Sequence, residues 1–310
     1  MRNFTRPLFC IICLSFVLLL PGLIHAGKSN EQQRLYERYQ PSTGPSIYFG
    51  LKFYGGMNYM FASDINDHLQ GTTDYWNDRG ADVGGEFKPL NWGFDVGGEI
   101  IIHFGPQFGI GLGGGYIQTD SKSTVNNTWP IYSYQDTASP EVSAIPITLS
   151  GYFGFPLGRK ISFIANLGLG YYLGTFKWNY SWDSEFDVFE ENWEGKSNAL
   201  GFHGGLGLEF NFSSKIALVI EGFGRYAKLK SLKGDYTLEE TYFGFHGEES
   251  INDATLWYYE WQSSLTGNNY PSIDFDDEKP EETLYIKNVR EGEVDLTGFS
   301  IRIGIKISFK

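Results

Sequence analysis

The sequence predicts an all-β protein: a transmembrane, antiparallel, up-and-down β-barrel of eight strands. Three observations predict it. First, apolar residues recur at every second position for a dozen residues at a time. In 92–119, Trp92, Phe94, Val96, Ile100, Ile102 and Phe104 lead to a tight Gly105-Pro106 turn. Phe108, Ile110, Leu112 and Tyr116 then alternate with Gly109, Gly111, Gly113 and Gly115, the pattern of a hairpin. Second, each arm exceeds the roughly 9–11 residues a tilted strand needs to cross a bilayer. Third, the connections alternate long and short along the chain, as they do when all the turns of a barrel lie at one end and all its loops at the other.

Taken in order, residues 1–26 carry Arg2 and Arg6, an apolar core from Ile11 to Leu20 and His25-Ala26 before Gly27, the anatomy of a cleaved signal peptide. Residues 27–45 are polar and end in Pro41-Ser-Thr-Gly-Pro45, a flexible periplasmic lead-in. The barrel domain is 46–310. Its strands are expected at Ser46–Phe61, Trp92–Phe104, Gln107–Thr119, Val142–Phe155, Ile161–Phe176, Asn198–Phe212, Ile216–Ala227 and Leu296–Phe309. Short periplasmic turns fall at Gly105-Pro106, Pro156–Lys160 and Ser213–Lys215. Long extracellular loops are expected near 62–91, 120–141, 177–197 and 228–295. The count becomes ten if the strand-like stretches Thr237–Phe245 and Glu282–Arg290 belong to the wall.

A soluble barrel would alternate too, with its apolar face inward. Here the polar face is crowded with glycine and poor in charge, whereas a water-facing surface is roughly a quarter or more charged. The apolar face is aliphatic at mid-strand and aromatic at its ends. Phe104, Phe155, Phe212 and Phe309 mark the short-turn rim, and Tyr59, Trp92, Tyr116 and Tyr226 the long-loop rim. Such girdles belong where a wall meets the lipid interface. The apolar face therefore points to lipid. The inward face then holds Lys52, Arg225, Arg302 and Lys306 against Asp95, Glu99, Glu209 and Glu221. Charges removed from water need partners. Counted from the short-turn end, Lys52 pairs in height with Glu99, and Glu221 with Arg302. These eight residues are the candidate site, read as a structural plug, since eight strands leave a lumen that side chains fill. The functional reading is a salt-bridge gate.

Composition excludes several classes. Both cysteines, Cys10 and Cys13, lie in the signal peptide, so the mature chain has no thiol chemistry. Without Arg2 and Arg6 the formal charge of −13 becomes −15, which argues against nucleic acid. The acid concentrates in the long loops, at Asp274–Glu278, Glu281-Glu282 and Glu185–Glu194, with Trp178, Trp182 and Trp193 nearby. These runs could hold an extracellular ligand or divalent cations, although their spacing matches no calcium loop. Gly109–Gly114 fits G-x-G-x-x-G but continues as a strand, so no cofactor is expected. His68, His103, His203 and His246 fall into no Ser-His-acid arrangement by spacing. The chain is accordingly not expected to be an enzyme, and no metal site is expected.

The eight alternating strands, the three short turns and the final Ser300–Phe309 segment, SIRIGIKISF, resemble the small outer-membrane barrels of the OmpA-transmembrane, OmpX and OmpW group. The resemblance covers 46–310 and is architectural. It implies an outer-membrane location in a Gram-negative-type bacterium, with membrane lipid as solvent. It also implies recognition of the terminal aromatic, Phe309, by the barrel-assembly machinery, although Lys310 follows it here. The expected role is a non-enzymatic structural or surface-interaction barrel. A narrow pore resembling OmpW is the alternative, and a lipid-modifying enzyme comes third.

Overall fold

The computed structural model describes residues 47–80, 82–128, 133–185 and 187–309. The expected signal peptide and lead-in lie outside the described residues, as does Lys310. Eight strands form a closed antiparallel ring: β1 (Ile47–Met60), β3 (Trp92–Phe104), β4 (Phe108–Asp120), β7 (Glu141–Pro156), β8 (Ile161–Ser184), β9 (Asp187–Asn211), β10 (Ile216–Tyr226) and β17 (Gly298–Phe309). Each pairs with the next, and β17 returns to β1 from Phe49 opposite Phe309 to Met60 opposite Gly298. A sheet closed this way has no edge and satisfies its backbone internally, the condition for crossing lipid. No helix among the described residues is long and apolar enough to cross.

The turns at one end are minimal. At Gly105 the backbone takes φ 77°, a conformation glycine adopts at no steric cost. Pro146 has no N–H to donate, and the β4–β7 ladder omits Gly115 and Tyr116 opposite it.

Pleating sends alternate residues to opposite faces, and burial separates the faces cleanly. Met57 is 65% exposed and Leu200 80%, while their inward neighbours Asn58 and Ala199 are buried. The aromatic rims also face out, with Phe104, Phe309, Trp92 and Tyr226 exposed and Tyr59 set against Trp92 and Phe299.

The segments expected as long loops carry regular structure, which corrects their description as loops. Strands β8 and β9 run on through 177–197 as one ladder, from Ile161 opposite Phe210 to Asp183 opposite Val188. Segment 62–91 holds helix α1 (Ser63–Asp78) and the short strand β2 (Asp82–Gly84), while 120–141 is the hairpin β5 (Ser123–Thr128) and β6 (Ser133–Ala138). Segment 228–295 holds β11 (Lys228–Leu229), β12 (Lys233–Tyr242), β13 (Phe245–Gln262), β14 (Asn269–Asp276), β15 (Ile286–Glu291) and β16 (Val294–Asp295). Of the stretches Thr237–Phe245 and Glu282–Arg290, residues 237–242 fall in β12, Phe245 begins β13 and residues 286–290 fall in β15; these strands lie off the ring and extend the wall beyond it.

The physical reason is a second core. Toward the loop end the inward positions become apolar: Ile117, Val142, Ala144, Tyr172, Phe176, Trp178, Trp193 and Leu256 pack with Leu229, Phe275, Val294 and Leu296. Helix α1 adds Ile65 and Leu69, one turn apart on the same face. Its Asp64 clamps it to β15, accepting Arg290 at 2.7 and 2.8 Å and the Glu293 N–H at 2.9 Å.

Candidate functional site

All eight charged residues expected in the lumen are buried there. Strand register explains who meets whom. Lys52 lies opposite Glu99 on β3 and Lys306 on β17, and Glu221 lies opposite Arg302. The Lys52 ammonium is 3.3 Å from Glu99 and 3.3 Å from Glu221, and it donates to the Tyr152 hydroxyl at 2.8 Å. Tyr152 in turn donates to Glu99. Lys306, directly opposite the like charge of Lys52, turns away to Glu209.

Arg302 is 3.8 Å from Glu221 but only 2.7 Å from Asp95, two strands away. The strand between them contributes Gly56, opposite both Arg302 and Asp95. A methyl group there would collide with the Ile301 carbonyl and come within 3.0 Å of the Arg302 Cα. Glycine thus leaves the path open. The guanidinium lies between the Phe223 and Tyr54 rings, 3.4 and 4.3 Å from their centroids, a desolvated cation–π arrangement.

Arg225 departs from the expected four-against-four pairing. Among the described residues no carboxylate reaches it. It donates to the Leu296 carbonyl and to Asn58 Oδ1, each at 2.6 Å, and Asn58 bonds Thr119 at 3.0 Å. Neutral acceptors are its direct partners, and Asp95 and Asp295 act on this cation only at longer range.

Sequence spacing did not place four residues in the network: Tyr54, Tyr152, and the pair Ser150 and His203, whose Oγ and Nε2 are 3.0 Å apart. Their inward parity was legible, but their partners on other strands were not. His203 stacks on Phe223, and among the described residues its Nδ1 has no hydrogen-bond partner. The cavity shared by these residues measures about 20 Å3, room for about one water.

Residues 109–114 lie within strand β4, so G-x-G-x-x-G here makes wall. Beside Gly111 the Glu99 carboxylate occupies the space a methyl group would fill. Among the described residues no three His, Cys, Asp or Glu side chains converge to hold a metal ion.

The family described as outer membrane protein beta-barrel domain matches residues 46–246. The chain belongs to that family. It therefore resides in the bacterial outer membrane. Two solved structures are similar to it. A major outer membrane protein from Thermus thermophilus shares 12% identity over 85% of this chain and 100% of its own, with a TM-score of 0.38. The outer membrane protease OmpT from Escherichia coli shares 11% over 87% of this chain and 99% of its own, with a TM-score of 0.23. No curated protein matches the chain.

Proposed function

We propose that this barrel is a non-conducting, non-enzymatic outer-membrane protein whose work is done by the folded surface it raises above the bilayer. One observation carries the reading: the interior is filled twice over. Ion pairs occupy the membrane level and leave about 20 Å3 among them, and the apolar cluster closes the extracellular level. A permeant solute would have to part both layers. The ion-pair network is then a plug, and its charges neutralise one another where water is scarce. The Ser150–His203 pair is part of this filling, since among the described residues no acid orients it and the cavity beside it holds about 20 Å3.

The test is recording on refolded protein in planar bilayers, comparing wild type with Glu221→Ala and Arg302→Ala. Wild type is expected to show no unitary conductance steps. Steps in wild type that change size in the two variants would replace this reading with a gated pore.

A further inference from the structure

On the extracellular side, the second half of α1 stands across from β13 and β14, and between them runs an open groove of about 570 Å3. Its walls are Tyr75 and Trp76 from the helix, Tyr259 and Trp261 from β13, and Tyr285 just before β15. Thr72, Gln262 and Ser272 supply hydroxyl and amide groups among the rings. The groove is built firmly. Gly71 lets the helix approach so closely that a methyl group there would meet the Pro271 carbonyl at 2.7 Å. Asp78, the last helical residue, accepts Tyr270 at 2.7 Å and Asn268 at 2.9 Å. The rings brace one another, with Tyr75 4.9 Å from Trp261 and 5.3 Å from Tyr270.

We propose that this groove binds a neutral oligosaccharide of two or three rings. This names the ligand class for the surface-contact role proposed above and rests on that reading. Aromatic faces present flat apolar area with a polar tip, which suits a sugar ring with an apolar C–H face and hydroxyls at its edge. The neighbouring amide and hydroxyl groups can exchange hydrogen bonds with those hydroxyls. Charge narrows the class further. No lining residue is charged, and the nearby Arg79 guanidinium is already engaged by the Tyr75 and Trp76 rings, 5.5 and 5.4 Å from their centroids, so the groove offers no charged partner to an ionic glycan. Size disfavours a small cation in an aromatic cage, because the volume lies in the roughly 300–1,000 Å3 range of sites for larger organic ligands.

The experiment uses the full chain, refolded in detergent, on an array of neutral, anionic and amine-bearing glycans. Tryptophan-fluorescence titration with the neutral di- and trisaccharides that bind then follows. Neutral glycans are expected to bind, and Trp261→Ala to weaken them at least tenfold. Tyr285→Ala, at a side chain 56% exposed and safe for folding, should weaken them severalfold. Phe243→Ala, on the β12–β13 hairpin tip, should not. The proposal is overturned if no neutral glycan binds, if only anionic or ammonium probes bind, or if neither groove variant changes the affinity. Such a failure leaves the conductance result untouched, and conductance through the lumen would sink the broader role whatever the glycans do.

Discussion

At the scale of single residues, the lumen shows how far a sequence can place charges and where it stops. Parity alone put Lys52, Asp95, Glu99, Glu209, Glu221, Arg302 and Lys306 inward, and height along the strands paired Lys52 with Glu99. The contact between Arg302 and Asp95 was not legible, because it crosses a third strand through the gap at Gly56. Arg225 was inward by the same parity, yet its partners are a carbonyl and an amide from elements 71 and 167 residues away. The energetics follow from burial. Removing one member of a buried ion pair strands the others, at a cost of about 3–5 kcal/mol. Arg302→Ala leaves Asp95 with no cation and Glu221 with Lys52 alone, and it empties the slot between Tyr54 and Phe223. Urea unfolding in lipid vesicles should show it as one of the most destabilising lumen changes. The double change Asp95→Leu with Arg302→Met should recover much of the loss, since a well-packed apolar pair replaces a buried ionic one at little cost. Equal stability of Arg302→Ala and wild type would mean that the network does not hold the wall.

At the scale of elements, the extracellular extension contains titrating groups with opposite signs. His68 on α1 is half-buried, accepts the Ile273 N–H at 3.4 Å and meets Trp178 edge to face. Burial lowers its pKa to about 4 from 6.5. The folded state then binds fewer protons than the unfolded one between those values, so this contribution is complete above pH 6.5 and is lost as pH falls through 4. Glu191 on β9 behaves in reverse. Burial, with the Asp274 carboxylate adding to it, raises its pKa to about 7 from 4.5. Its contribution is present below pH 4.5 and disappears as pH rises through 7. Glu191→Gln should therefore flatten the loss of stability between pH 4.5 and 8, whereas His68→Gln should flatten the loss between pH 6.5 and 4. Thermal unfolding of the extracellular part, followed by tryptophan fluorescence across that range, checks both. An unchanged pH profile in Glu191→Gln would show that the carboxyl is solvated in the folded protein.

At the largest scale, the described barrel unit is a wall whose interior changes character with height. The lower wall was legible because lipid on one face and a packed lumen on the other impose strict period-two alternation. The upper wall was not. There both faces meet water or protein, so Lys177–Ser197, with Trp178 and Trp193 inward but acids and asparagines around them, carries no clean outward apolar stripe. Helix α1 was hidden for a related reason, since its buried face is little more than Ile65, Leu69 and Thr73 among polar neighbours. What makes these segments ordered is tertiary: Trp193 stacks on Phe275 at 4.6 Å, and Gly174 leaves room for Leu229, whose side chain a methyl group there would strike. Amide exchange distinguishes an ordered tower from a fringe of loops, because protection tracks the free energy needed to open each hydrogen bond. Amides of β8 and β9 between 177 and 197 should exchange orders of magnitude more slowly than an unstructured chain, approaching those of the membrane-level ladder. The turn at Phe243-Gly244, with both side groups outside any core, should exchange fast. Replacing Phe275 by Ala should release the upper β8–β9 amides while leaving Ile161–Leu173 protected, because the lower ladder is held by lipid and ion pairs. Exchange of 177–197 within seconds in the wild type would remove the folded tower, and with it the surface on which the proposed role depends.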